Sequence, residues 1–288
     1  MTVAPLLPDY LRMLWKSVES GRMTADEFAA QETRAVQRCR REWEEALRFR
    51  DGEPLEDSLI TELGAYLDLD DLADLRVRCM RSSDGIDAEW HEKVPVADTE
   101  SIESFYETSE RVLYELVWWH TLHDDASPLA YVVALHFAQR HVCRDVLDFG
   151  AGIGSGGLLF ARAGLHVTLA DISSRLLQFS AWRFARRALH ARFLDLKLEG
   201  LPLEAFDLIT AMDVFEHLID PIQAADRLAD ALRPGAFLFG RFNAEPDDER
   251  PEHIVRDFGP VFERMALRRL RPVWEDQWLW GHQAFQKQ

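Results

Sequence analysis

The spacing of apolar residues changes part-way along the chain. Up to about residue 141, apolar positions recur every three or four residues, as in helices with one buried face. This spacing predicts a helix over 8–19, stopped at Gly21. Thr24 and Glu27 form a capping box at the head of a second helix, which meets no Gly or Pro until Asp51-Gly52. Stretches 55–67 and 72–80 predict two more, separated by the acidic turn 68–71. Ser82-Ser83-Asp84-Gly85 is a break, and 86–98, with Pro95 inside it, reads as irregular. One long helix is expected over 100–121, and Ser127-Pro128 supplies a cap and first turn for another over 128–141.

From Cys143 onward, short apolar runs alternate with amphipathic stretches. Strands are predicted at 145–149, 166–170, 191–194, 206–211 and 236–242, with helices at 156–163, 173–188 and 221–232. Strand and helix in alternation imply an α/β fold with a doubly wound, mostly parallel sheet. A helix over 254–266 and an antiparallel pair over 267–274 and 277–285 would close it. The chain thus divides into a helical N-terminal region (1–98), a helical lid (99–140) and a sheet domain (141–288).

Charge sharpens that division. Of the 288 residues, 50 are acidic and 33 basic, a net charge of −17. Residues 1–140 hold 29 acids against 15 bases, and the rest hold 21 against 18. A basic face for phosphate contacts is missing, which argues against nucleic acid and anionic membranes as partners. The cluster Arg38, Arg40 and Arg41 is followed at once by Glu42, Glu44 and Glu45, as on a solvated helix face. No apolar run approaches the roughly 20 residues of a membrane span, and the first ten residues do not resemble a signal peptide. Cys39, Cys79 and Cys143 are odd in number and far apart, suggesting neither a disulfide framework nor a zinc site. These features point to a soluble cytoplasmic protein.

The strongest chemical signal is residues 145–157, a buried strand running into Gly150, Gly152, Gly154, Gly156 and Gly157 and then a helix. Glycines let a ligand approach the backbone, and a helix N-terminus adds free N–H groups and positive potential. Asp171 ends the second strand, where a carboxylate can take ribose hydroxyls. A nucleoside-containing cofactor follows. Gly152, Gly154 and Gly157 also fit the dinucleotide spacing, which leaves a nicotinamide-dependent oxidoreductase as a rival.

The whole stretch more closely resembles the class I S-adenosylmethionine-dependent methyltransferases. Asp148, Gly150, Gly152 and Gly154 match their first motif, acid-x-Gly-x-Gly-x-Gly. Asp171, with Ile172 beside it, matches the ribose-binding acid. Asp195 and Leu196 match the segment facing the adenine, residues 206–221 match the fourth strand and its loop, and Leu232-Arg-Pro-Gly matches the turn into the fifth strand. The resemblance covers 140–288. It implies a seven-stranded Rossmann-like sheet that binds S-adenosyl-L-methionine, with Met212 near the cofactor.

Methyl transfer from a sulfonium needs position and a dry pocket, and a base where the acceptor is a hydroxyl or amine. Asp213, Glu216, His217 and His253 are the candidates. Asp213-x-x-Glu216-His217 also resembles the metal-binding segment of small-RNA 2′-O-methyltransferases and ubiquinone-pathway O-methyltransferases, with Asp213 in place of Glu. That resemblance implies a divalent metal (Mg²⁺, Mn²⁺ or Fe²⁺) on Asp213, Glu216, His217 and His253. Tyr106, His120 and His123, in the aromatic stretch before the first strand, are candidate acceptor contacts; Tyr106, Leu113, Val117 and His120 would share one helical face. The expectation is O-methylation of a small molecule, neutral or cationic given the acidic helices. N- or C-methylation, a non-catalytic cofactor-binding partner protein and a homodimer remain open.

Overall fold

A computed structural model describes residues 5–96, 98–242 and 250–288. The N-terminal half is helical: α1 (Leu7–Glu19), α2 (Ala25–Leu47), α3 (Leu55–Leu67), α4 (Leu72–Met80), α5 (Ile86–Lys93), α6 (Thr99–Thr108), α7 (Glu110–Trp119) and α8 (Ala130–Arg140). The rest alternates: β1 (Asp145–Phe149), α9 (Ser155–Arg162), β2 (His166–Asp171), α10 (Ser174–Arg186), β3 (Arg192–Asp195), β4 (Phe206–Ala211), α11 (Pro221–Ala231), β5 (Leu232–Arg241), α12 (Gly259–Leu267), β6 (Leu270–Glu275) and β7 (His282–Lys287). The seven strands form one sheet in the order β3-β2-β1-β4-β5-β7-β6. The first five run parallel, and β7 pairs antiparallel with both β5 and β6. This is the expected Rossmann-like architecture.

Successive strand side chains point to opposite faces, and the core divides accordingly. Val146, Leu208, Phe237 and Phe239 face α8, α9, α10 and the N-terminal helices. Leu147, Ile209 and Leu238 face α11 and α12. The N-terminal helices share the core of the first face instead of forming their own. Trp43 of α2 is fully buried, stacks on Tyr131 at 5.8 Å and donates from Nε1 to the His120 carbonyl at 3.0 Å. Truncating it to alanine should cost about 3–5 kcal/mol.

Four local expectations are corrected. The helix expected over 100–121 is two helices, because Ser109 takes an extended ψ of 121° and caps α7, accepting from the Val112 N–H at 3.3 Å; serine favours this position. Tyr106 and His120 therefore lie on different elements. Residues 86–93 are helical, not irregular: Ile86 and Trp90, one turn apart, are buried and Trp90 packs edge-on against Phe105 at 5.0 Å. The helix expected from 254 begins at Gly259, because Pro260 is tolerated only in a first turn. The final strands are shifted by the turn between them, where Asp276 accepts three N–H groups, from Trp278, Leu279 and Trp280.

Candidate functional site

The carboxyl ends of β1, β2 and β4 open on a cavity of about 800 Å³, within the range of small-molecule and cofactor sites. The glycine loop forms one wall. The Gly150 and Ala151 N–H groups donate to the Ala170 carbonyl at 2.8 and 3.1 Å, folding the loop back over β2. Gly150 and Gly152 have φ of +69° and +52°, in the left-handed region that glycine enters freely. A Cβ on Gly150 would lie 2.5 Å from Val214. Gly150, Gly152, Asp171, Ile172, Leu196 and Met212 line the cavity. Gly154 instead starts α9 with its face against Ser180 and Leu169.

Three acids expected at the cofactor lie in different settings. Asp148 is fully buried behind the loop. Thr210 Oγ1 donates to its Oδ1 at 2.8 Å, and Oδ2 has no partner. Burial raises its pKa to about 7, and the nearby Asp171 adds to this. The Asp171 carboxylate accepts from the Gly152 N–H and the Ser173 N–H, both at 2.8 Å, so it tethers the loop as well as facing the cavity. Its pKa is raised by burial against these backbone bonds. Asp195 accepts from the Ser174 hydroxyl and the Lys197 N–H; Leu196, not Asp195, reaches the cavity wall.

Across the cavity, Glu216, His217 and His253 bring their ligand-type atoms within 4.8 Å of one another. The two imidazoles meet edge to face, with ring centres 4.8 Å apart. His217 Nδ1 lies 3.0 Å from the Glu252 carbonyl and 3.1 Å from the Tyr106 hydroxyl. A carbonyl can only accept, so Nδ1 carries the proton and Nε2 keeps the lone pair. Burial, and then His253, lower the His217 pKa to about 4. Tyr106 is pushed well above its ordinary value by burial, and α6 thereby supplies a neutral phenol beside this imidazole. Asp213 departs from the expected four-ligand set. Its carboxylate accepts from Arg241 Nη1 at 3.0 Å, and it lies outside the group formed by Glu216, His217 and His253.

The acceptor side contains His120 but not His123. His120 lines the cavity, is buried among Trp43 and Trp119, and neither ring nitrogen has a hydrogen-bond partner. Burial lowers its pKa to about 3. His123 sits outside, half-exposed, with Nδ1 3.0 Å from Glu56. The turn after α7, in which Leu122 takes a φ of +60°, puts these two histidines on different surfaces. Sequence reading missed Glu115, Glu252 and Trp280, which also line the cavity. Glu115 is raised to about 7 by burial; a lone carboxylate inside the apolar run 112–119 was the signal for it. Glu252 acts through its backbone carbonyl, which no side-chain pattern reveals.

Residues 147–238 match a family model described as a methyltransferase domain. A ubiquinone biosynthesis O-methyltransferase of Albidiferax ferrireducens is 30% identical over 138 residues, 42% of this chain and 52% of that protein. Its counterpart in Xylella fastidiosa is 32% identical over 133 residues, with the same coverages. The chain thus spans about half the length of these curated relatives. A crystal structure of a SAM-dependent methyltransferase from Aquifex aeolicus superposes with a TM-score of 0.42 at 18% identity, covering 50% of this chain and 80% of that one. Residues 147–238 are therefore similar to a methyltransferase domain, as the motifs imply. Among the described residues, no helix is long and apolar enough to cross a membrane.

Proposed function

We propose that this chain transfers a methyl group from S-adenosyl-L-methionine to an oxygen of a small-molecule acceptor. The observation that carries this reading is one cavity with two unlike walls. The glycine loop and Asp171 form one; the imidazoles of His217 and His253 with Glu216 form the other. The first wall fits the cofactor chemically. Its positive-φ glycines leave room for a ligand to approach the backbone, and the Asp171 carboxylate faces the space beside them. The relatives from Albidiferax ferrireducens and Xylella fastidiosa are O-methyltransferases of ubiquinone biosynthesis, which favours oxygen over nitrogen or carbon.

The second wall supplies the proton chemistry. Methyl transfer forms a C–O bond as the S–C bond breaks, and the acceptor hydroxyl must lose its proton. His217, neutral at physiological pH with Nε2 unprotonated, is suited to take it, while Glu252 and Tyr106 hold the ring. With that Nε2 lone pair given to a metal instead of the proton, Glu216, His217 and His253 would hold a divalent cation, and this N₂O set favours Mn²⁺ or Fe²⁺ over Mg²⁺. Such an ion, when bound, polarises a hydroxyl as a Lewis acid.

The test is methyl transfer from labelled S-adenosylmethionine to a panel of phenols, amines and carbon acids. We expect label in the phenols, and a loss of about 10²–10⁴-fold in His217→Ala. Label in amines alone, or full turnover by His217→Ala, would overturn the oxygen reading. Loss of turnover in EDTA, restored by Mn²⁺ or Fe²⁺, would assign the metal, and unchanged turnover would exclude it.

A further inference from the structure

Behind the glycine loop, away from the cavity, lies a buried ionic group that the cofactor chemistry does not use. Arg183 of α10 and Glu62 of α3 are both essentially inaccessible to solvent and pair at 3.1 Å, Nε to Oε2. Arg183 Nη1 then donates twice to the loop and the start of α9: to the Ile153 carbonyl at 2.7 Å and to Ser155 Oγ at 2.9 Å. Arg187, one turn further along α10, pairs with the other oxygen of Glu62 and donates to the Leu47 carbonyl at 2.6 Å. Ser180, one turn before Arg183, donates to the Gly152 carbonyl at 3.0 Å. One face of α10 thus holds Gly152, Ile153 and Ser155, and the helical N-terminal region fixes that face through the Glu62 carboxylate and the Leu47 carbonyl.

A buried guanidinium needs a counter-charge and a fixed orientation, and Glu62 supplies both. A glycine-rich loop resists little on its own, because glycine has the most backbone freedom to lose. Without the brace, cofactor binding must also order the loop, and affinity falls by that cost. We propose that Glu62 and Arg183 are positioning residues for the cofactor loop, so that α3, which does not line the cavity, sets affinity for the nucleoside cofactor from behind that loop. The proposal rests on the S-adenosylmethionine reading given above.

The decisive variant removes all three charges together, Glu62→Leu with Arg183→Met and Arg187→Met, so that no unpaired charge stays buried. Three quantities are read: S-adenosylhomocysteine affinity by calorimetry, amide exchange over 151–156 in the ligand-free protein, and KM against kcat. Glu62→Gln, which keeps an acceptor for Nε, is measured beside it. We expect wild type to bind S-adenosylhomocysteine. The triple variant should bind at least tenfold more weakly, exchange faster in the loop, and show a raised KM with kcat changed less than threefold. Glu62→Gln should weaken binding about threefold. If the triple variant does not fold, Glu62→Gln decides alone. Unchanged affinity in whichever variant folds overturns the brace and leaves the cofactor reading intact. Absence of binding by wild type overturns the cofactor reading, and the proposal with it.

Discussion

Two buried carboxylates lie behind one glycine loop, and they differ in a way that separates scaffold from site. Glu62, behind the loop, meets two guanidinium groups, one on each carboxylate oxygen. Asp148, nearer the cavity, has one oxygen bonded to Thr210 and the other without a partner. Both are essentially inaccessible to solvent. A buried charge must be paired or pushed toward neutrality. The protein uses the first solution where it needs rigidity. It uses the second, with the Asp148 pKa at about 7, beneath the loop that lines the cavity.

The largest expected effect comes from breaking the paired side. Glu62→Ala leaves Arg183 buried with no counter-charge, and Arg187 has only carbonyl partners left. Losing one partner of such a group costs about 3–5 kcal/mol. Urea denaturation at pH 7 should show a loss of this size. A cost under about 1 kcal/mol would mean that Glu62 is not the clamp the geometry describes, and the contrast with Asp148 would lose its first half.

The Asp148 side should respond in the opposite sense, and to pH. Its folded pKa lies above its unfolded value of 3.8. The stability it contributes is therefore complete below about pH 4 and is lost as pH rises toward 7, by about 4 kcal/mol in all. Asp148→Asn cannot ionise. Thermal midpoints of the ligand-free proteins should show the variant gaining several degrees on wild type between pH 5 and pH 8. The same variant should bind S-adenosylhomocysteine about tenfold or more weakly. Parallel pH curves for the two proteins would remove Asp148 as the unsatisfied member of the pair.

How visible each side was in the sequence follows from the same contrast. The loop side was legible because its requirements are local. Strand, glycines and terminal acids follow one another within 145–171, and the alternation beyond them gives the sheet its order. The brace was not legible. Glu62 and Arg183 are 121 residues apart, each on a helix whose pattern alone would leave such charges in solvent. The break at Ser109 was missed because serine breaks or continues a helix according to what packs around it. The cluster of Glu216, His217 and His253 was half legible. The Glu-His pair is adjacent in sequence, but the exclusion of Asp213 depends on Arg241, which a strand 28 residues away delivers to it.

The smallest expected effect tests where the site ends. His120 and His123 looked equivalent in sequence, yet one lines the cavity and the other pairs with Glu56 outside it. An exposed ion pair of this kind contributes about 0–1 kcal/mol, because water screens it and two side chains must be ordered to form it. The ring of His123 also rests on Trp118 at 4.8 Å, so a small packing loss is expected as well. His123→Ala should therefore shift stability by no more than about 1 kcal/mol and leave KM and kcat within twofold of wild type. A tenfold change in KM for the acceptor would place the boundary of the site beyond Trp118. The share of the pocket wall that the helical region already supplies through Tyr106, Glu115 and His120 would then extend further along the chain.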